Sequence, residues 1–322
     1  MITRAWLSLR LALALGVLAL GWPGWGQSPA APAGGAEDIA APASVAPPFP
    51  VKPPYPFGVG EKLTYEFSFS RFPLSGKLGE LELEVVSLEE ARAAMDALAA
   101  RLKRSRGEAC PSALPASCLA FQARARTRGF LPALLRIDAR NEYLSVVDAC
   151  DLGLVYNQRS LRSHRRQRFQ MTCQARAAET RAIVESDEGE RAPISDRALP
   201  ARRWTTDLQT FWHVLRSQPL APGATIPMVL TEDDRVYDLP VVVTNEVELI
   251  QTRAGRFRAR KLELKAYESG FSRYEGTFFL WLSEDAARLP ARVRFKARGV
   301  TVTGELVSYV APPNRAAGKP KN

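Results

Sequence analysis

The sequence predicts a mainly β protein, with a curved antiparallel sheet that is barrel-like or half-open and two helices at about 87–106 and 207–217. The dominant pattern is a two-residue alternation of apolar and polar side chains, which is typical of half-buried strands. Short turn motifs containing glycine separate many of these segments, as hairpins require. The strand-helix-strand alternation of parallel sheets is not seen.

Alternation is clearest near the start of the predicted domain, where one apolar series comprises Leu63, Tyr65, Phe67 and Phe69. A second apolar series comprises Leu81, Leu83 and Val85. Further strands are predicted at Cys118–Arg128, Leu134–Val147, Leu152–Leu161, Arg165–Gln174, Ala178–Glu185, Thr225–Leu230, Val236–Gln251, Phe257–Ala266, Arg273–Leu282, Ala291–Ala297 and Val300–Val310. Turns are predicted at Gly255, Gly270 and Gly299.

The first helix follows from apolar residues at helical spacing over 87–106. Ser87 and Glu90 have the spacing of a capping box, in which each side chain bonds the other residue's backbone amide. Gly107 is a natural stop.

The second helix is predicted from Asp207 to about Ser217, with a capping box of Thr206 and Gln209. Its apolar stripe consists of Leu208, Phe211, Trp212 and Leu215. We expect this helix to cover or plug one face of the sheet. The stripe would line a ligand pocket if the curved sheet leaves an apolar concavity, and would otherwise only pack against the strands.

The first 26 residues have the layout of a secretory signal peptide, with Arg4 and Arg10 before the ten-residue apolar run Leu11–Leu20. Cleavage is expected before Gln27, and a retained anchor is the alternative. Residues 27–56 are rich in Pro and Ala and predict a disordered linker.

The predicted periplasmic domain occupies 57–310, with a helix and loop inserted at about 87–118 and a disordered tail at 311–322. No other segment is long enough to span a membrane, so the mature chain is expected to have no transmembrane span.

The four cysteines of an exported chain favour disulfides over a metal site. The chain contains Cys110, Cys118, Cys150 and Cys173. Three pairings are open, and we favour Cys110–Cys118 with Cys150–Cys173 because each pair closes a short loop. The net charge of +10 indicates solubility or an anionic partner, and export argues against nucleic acid.

Four stretches, in order, resemble the family catalogued as domain of unknown function 3108. They are Gly58–Tyr65, Thr206–Arg216, Thr252–Lys261 and Leu280–Pro290. Together they span about 57–310. The resemblance implies an exported, mostly antiparallel β protein of bacterial envelopes, and it brings no agreed activity and no catalytic residues.

Motifs for catalysis are not apparent. The chain has two histidines, and its carboxylate neighbours in sequence suit solvated turns. We therefore predict no catalytic, metal-binding or cofactor-binding residues, and no cofactor. One hairpin is rich in arginine and could contact anions, although charge that protects a strand edge is the simpler interpretation. Its arginines are Arg159, Arg162, Arg165, Arg166 and Arg168.

These observations favour an exported, non-catalytic envelope protein that binds an apolar or amphipathic ligand, such as a lipid, or assists envelope assembly. The alternative is a structural or protein-interaction module of the periplasm with an envelope protein as partner. An enzyme of unrecognised type is the third hypothesis, so enzymatic activity stays open.

Overall fold

A computed structural model describes residues 53–103, 117–130, 132, 138–163, 166–188, 195–232, 235–266, 270, 276–297 and 299–313. These residues form one antiparallel sheet of fourteen strands and two helices, which confirms the predicted fold class. In chain order the strands are β1 (Lys62–Arg71), β2 (Leu74–Val86), β3 (Cys118–Thr127), β4 (Ala139–Asp148), β5 (Leu154–Ser163), β6 (Arg166–Ala175), β7 (Thr180–Glu188), β8 (Ser195–Pro200), β9 (Thr225–Glu232), β10 (Arg235–Thr252), β11 (Gly255–Leu264), β12 (Thr277–Ser283), β13 (Pro290–Ala297) and β14 (Val300–Val310).

The strand order is β8-β7-β6-β5-β4-β3-β2-β1-β14-β13-β12-β11-β10-β9. All neighbours are consecutive in the chain except β1 and β14, which pair with Tyr65 opposite Leu306. Strands from the middle of the chain, β8 and β9, are therefore the two edges. These edges do not pair with each other among the described strands, so the sheet stays open.

The alternation of β1 matches its burial. Leu63, Tyr65, Phe67 and Phe69 are buried and belong to the main apolar core, whereas the residues between them are exposed or half-buried. Because successive side chains of a strand point to opposite faces, one face of β1 lines the core. The predicted turn glycines Gly255 and Gly299 have positive φ values of 145° and 78°, which other residues adopt rarely.

The segment between β8 and β9 brings the open edge back against the sheet. The Thr206 amide donates to Val229 O over 2.8 Å, and the Thr231 amide donates to Thr206 O over 2.8 Å, which forms a parallel bridge beside β9. At the end of β9, Glu232 accepts a bond of 2.5 Å from Nη1 of Arg159 on β5. The sheet is thus curled and half-open, with polar contacts along the seam.

The first helix, α1 (Leu88–Arg101), lies on the face opposite the main core. Its predicted capping box is confirmed, since the Glu90 amide donates to Ser87 Oγ over 3.2 Å and the Ser87 amide donates to Glu90 Oε2 over 3.0 Å. Met95 and Leu98 of α1 pack in a second apolar cluster with Val146 of β4 and other strand residues. The helix ends at Arg101, and the predicted stop at Gly107 lies outside the described residues.

The second helix, α2 (Phe211–Ser217), lies inside the main core. The Trp212 ring stacks on Tyr65 of β1 with centroids 6.4 Å apart, and the His213 ring lies 4.2 Å from that of Phe121 on β3. A helix buried on nearly all sides needs apolar residues around most of its circumference, which this short segment supplies. Helix α2 therefore plugs the concave side of the sheet.

Candidate functional site

Helix α2 starts later than predicted, and Asp207 rather than a capping box prepares its first turn. Asp207 Oδ1 accepts bonds from the backbone amides of Gln209 and Thr210 over 3.2 and 2.9 Å. Thr206 Oγ1 instead lies 2.6 Å from Thr210 Oγ1. The predicted box of Thr206 and Gln209 is therefore wrong, because the carboxylate of Asp207 supplies the acceptor in its place.

The predicted pocket-lining stripe is packed against the core. Phe211 and Leu215 are buried core residues, and Leu208 and Trp212 are half-buried against them. None of the four lines either of the two cavities described below. A ligand pocket formed by this stripe stays a prediction without support from the packing.

A buried ion pair fastens α2 to the start of β1. Arg216 and Glu61 are 0% and 1% exposed, and the guanidinium binds both carboxylate oxygens, over 2.5 and 2.9 Å. Arg216 also donates to the carbonyl oxygens of Pro56 and Ala287, over 3.0 Å each. Burial and the nearby Arg216 hold the pKa of His213 well below its usual range, so its imidazole is neutral. The Arg216–Glu61 pair and the neutral His213 ring therefore hold α2 against the strands of the core.

A small polar cavity of about 20 Å³ lies between the concave face of β5–β7 and the end of β9. Arg159 and Gln170 line it, and they bond each other over 2.5 Å. Arg181, also in its wall, donates to Thr231. A volume near 15 Å³ suffices for one water molecule, so this cavity suits solvent rather than a metabolite.

A larger open groove of about 750 Å³ runs along residues 54–59 and the nearby α2. Arg216 and Arg288 line it. Arg288 donates to the carbonyl oxygens of Arg216 and Gln218, and Arg216 is held by Glu61. Both cations are therefore engaged within the protein, and the groove offers a ligand little charge.

The predicted arginine patch is divided between the two faces of the sheet. Arg159 and Arg168 point to the concave side, where they pair with Glu232 over 2.5 Å and with Glu185 over 2.6 Å. Arg162 is exposed on the other side, because it lies three positions after Arg159 on the same strand and side chains alternate between the faces. Arg165 and the side chain of Arg166 lie outside the described residues. The described arginines therefore do not form one anion-contact surface.

The favoured disulfide pairs are wrong. Cys118 and Cys150 carry thiols, whereas Cys173 is disulfide-bonded, and Cys110 lies outside the described residues. Cys173 packs in the cluster beneath α1, but the turn after β4 leaves Cys150 exposed, with its amide bonded to Asp148 Oδ1 over 2.8 Å. The prediction relied on the short loop between each pair, and loop length does not show that Cys173 is buried beneath α1 whereas Cys150 is exposed in a turn.

Two segments that follow strands expose large apolar side chains at one end of the sheet. Phe72, in the turn between β1 and β2, is 98% exposed, and Phe130, after β3, is 79% exposed. Leu74, at the start of β2, is 36% exposed. At Gly129, with a φ of 118°, a Cβ atom would lie 3.1 Å from the Lys77 carbonyl oxygen, so this glycine lets the loop approach β2 closely. We call Phe72, Leu74 and Phe130 the apolar end.

Three cations surround a single carboxylate next to the apolar end. Glu80 on β2 accepts bonds from Lys77 over 3.0 Å, Arg126 over 2.7 Å and Arg128 over 3.3 Å. Partial burial would raise the pKa of Glu80, but the bonds from Lys77 and Arg126 outweigh it and lower the pKa to about 2. We call Lys77, Arg126 and Arg128 the cationic cluster. Sequence reasoning missed it, although Arg126 and Arg128 flank Thr127 at the end of a predicted strand.

Among the described residues, no group of three or more potential metal ligands is present. No helix in the described part of the chain is both long and apolar enough to cross a membrane.

Comparisons with known proteins give a family. The sequence model of a family described as "Protein of unknown function (DUF3108)" matches residues 112–306. No curated protein matches the chain. One solved structure, a β-barrel-like protein of domain of unknown function DUF1849 from Brucella abortus, has 10% identity and a TM-score of 0.47, covering 80% of this chain and 99% of its own. Ail, the attachment invasion locus protein of Yersinia pestis, solved with the heparin analogue sucrose octasulfate, has 8% identity and a TM-score of 0.14, covering 77% of this chain and 95% of its own.

Proposed function

Because the chain belongs to the DUF3108 family, whose function is unknown, we propose a function from its surface: a non-catalytic protein of the cell envelope that binds amphipathic lipid through its apolar end. The observation that carries this proposal is the exposure of Phe72, in the turn after β1, and of Phe130, which follows β3. Two largely exposed aromatic rings at one end of a folded domain are a feature of surfaces that meet a membrane or a partner.

The energetics suit reversible binding to a lipid surface. Burying one phenylalanine side chain contributes about 1.5–3 kcal/mol, so each ring changes a partition coefficient by about tenfold or more. Shallow insertion of such side chains at the boundary between headgroups and acyl chains is how peripheral proteins anchor. The packed core around α2 supports an external lipid site over an internal one.

The predicted leader and linker fit this role. Cleavage before Gln27 would place the domain outside the cytoplasm. Tyr55 and Pro56, at the end of the predicted linker, are bonded to the domain. The part of the linker before the described residues, 27–52, would then extend by up to about 80 Å if it adopts the extended conformation of Pro-rich segments. The domain could thus reach a membrane surface at a distance from other attachment points.

The test is flotation of the purified full chain with vesicles of phosphatidylcholine and phosphatidylglycerol. We expect the wild type to float, and the variant Phe72→Ser/Phe130→Ser to lose about 100-fold in partition coefficient. The control is Leu249→Ser, which removes a 71% exposed leucine from β10. A wild type that stays at the bottom of the gradient, or equal losses in both variants, would refute lipid binding by the apolar end.

A protein partner at the same end is the second candidate, favoured by the same exposed rings. Crosslinking in envelopes would then capture one dominant protein, and capture would depend on Phe72 and Phe130. Without flotation, that result would replace lipid with protein as the ligand.

A further inference from the structure

We infer that the apolar end selects anionic phospholipid headgroups, which the cationic cluster binds; this inference rests on the proposed lipid binding. Arg128 is two residues from Phe130, so their backbones are no more than about 7 Å apart. The headgroup region of one leaflet is about 5–7 Å thick. With Phe130 at the boundary of the acyl chains, Arg128 is therefore within reach of the lipid phosphates.

Charge near the apolar end is unbalanced. The cationic cluster shares Glu80, and its Lys77 also pairs with Glu66, which accepts a second bond of 2.7 Å from Arg253. Four cations thus face two carboxylates, which leaves a net charge of +2. The next charges along the same strands differ, because Arg124 and Lys62 meet the two carboxylates Glu82 and Glu84. The surplus is confined to the part of the strands nearest the apolar end.

The two arginines also have donors to offer. The side chain of Arg126 is 62% exposed and that of Arg128 is 61% exposed. Arg128 reaches Glu80 through Nη1 at 3.3 Å, which is a long contact for a charged pair. A guanidinium carries five N–H donors in a planar fork that fits phosphate oxygens. A phosphate could therefore bind Arg128 without first breaking a short ion pair.

The test compares flotation with vesicles of phosphatidylcholine alone and vesicles containing about 30% phosphatidylglycerol. A basic residue near an anionic surface contributes enough to change binding by roughly fivefold, so Arg126→Gln/Arg128→Gln should lower partition onto anionic vesicles by about 30-fold. Arg124→Gln is the matched control on β3 and should bind as the wild type does. Glu80→Gln should bind anionic vesicles more tightly, since it removes the central negative charge.

The outcomes separate this inference from the proposed function. Equal wild-type binding to both vesicles would overturn headgroup selection and leave lipid binding standing. No binding to either vesicle would refute lipid binding itself. A loss in Arg126→Gln/Arg128→Gln no larger than that in Arg124→Gln would also overturn the inference. Far-ultraviolet circular dichroism of each variant confirms that the fold is retained, and the opposite sign expected for Glu80→Gln distinguishes charge from damage.

Discussion

Replacing Arg216 with methionine should destabilise the protein strongly, because it leaves the carboxylate of Glu61 buried without its partner. Both side chains are at most 1% exposed, and the guanidinium supplies two bonds to Glu61, one to the Pro56 carbonyl oxygen and two to the Ala287 carbonyl oxygen. Removing one member of a buried ion pair costs about 3–5 kcal/mol. The loss of the carbonyl partners places the expected decrease in unfolding free energy in the upper half of that range.

Urea unfolding followed by circular dichroism measures this free energy. The control is Arg258→Met, which breaks an exposed pair with Glu284 and should cost about 1 kcal/mol or less. The double variant Glu61→Gln/Arg216→Met removes both charges. We expect it to recover about 2 kcal/mol relative to Arg216→Met, since no unpaired charge is then buried.

Two results would refute this reasoning. One is an Arg216→Met variant that is no less stable than Arg258→Met. The other is a double variant at least as unstable as Arg216→Met, which would assign the loss to packing of the Arg216 side chain and not to the charge left on Glu61.

Three further predictions concern other parts of the molecule. The pKa of Glu80 is lowered from its usual 4.5 to about 2, so the ionised carboxylate stabilises the fold above pH 4.5 and this stabilisation is lost as the pH falls toward 2. The difference in urea midpoint between the wild type and Glu80→Gln should therefore shrink between pH 4.5 and pH 2. A difference that stays constant over this interval would contradict the prediction. Iodoacetamide at about pH 8 should label Cys150 on the folded protein and Cys118 only after unfolding, because Cys118 is buried and its pKa is raised to about 11. Peptide mass spectrometry measures the labelling of each cysteine. Equal labelling of both cysteines on the folded protein would contradict the prediction. Chain recovered from the cell envelope should begin at Gln27, and an intact leader on N-terminal sequencing would rule out the predicted cleavage.

Local patterns predicted the strands well because burial of one face imposes a period of two. The series from Leu63 to Phe69 is buried as expected, and β10 (Arg235–Thr252) closely matches the predicted Val236–Gln251. Capping chemistry was equally informative for α1, because the bonds between Ser87 and Glu90 join residues only three positions apart in the sequence. Strand β8 (Ser195–Pro200) was missed because its short sequence lacks a clear apolar alternation.

Features that depend on distant contacts were not predictable in this way. Glu61 and Arg216 are 155 residues apart, and both lie in stretches that resemble the family without any pattern linking them. The division of the arginine-rich hairpin follows from the extension of β5 to Ser163, beyond the predicted end at Leu161, because residues three positions apart on one strand lie on opposite faces. The exposure of Phe72 and Phe130 was not predicted, because both lie outside the strands, where the two-residue alternation does not indicate which side chains are buried.

The pairing of β1 with β14 has a consequence for how the chain can fold. Ser68 donates to the carbonyl oxygen of Thr303, its cross-strand partner 235 residues later. The middle of the sheet is therefore completed last during synthesis, while hairpins from the interior of the chain can form early. Until β14 emerges, β1 and β13 each present an unpaired strand edge, so a folding nascent chain would need protection from aggregation. Loss of β14 would leave two half-sheets with no shared hydrogen-bonded strand.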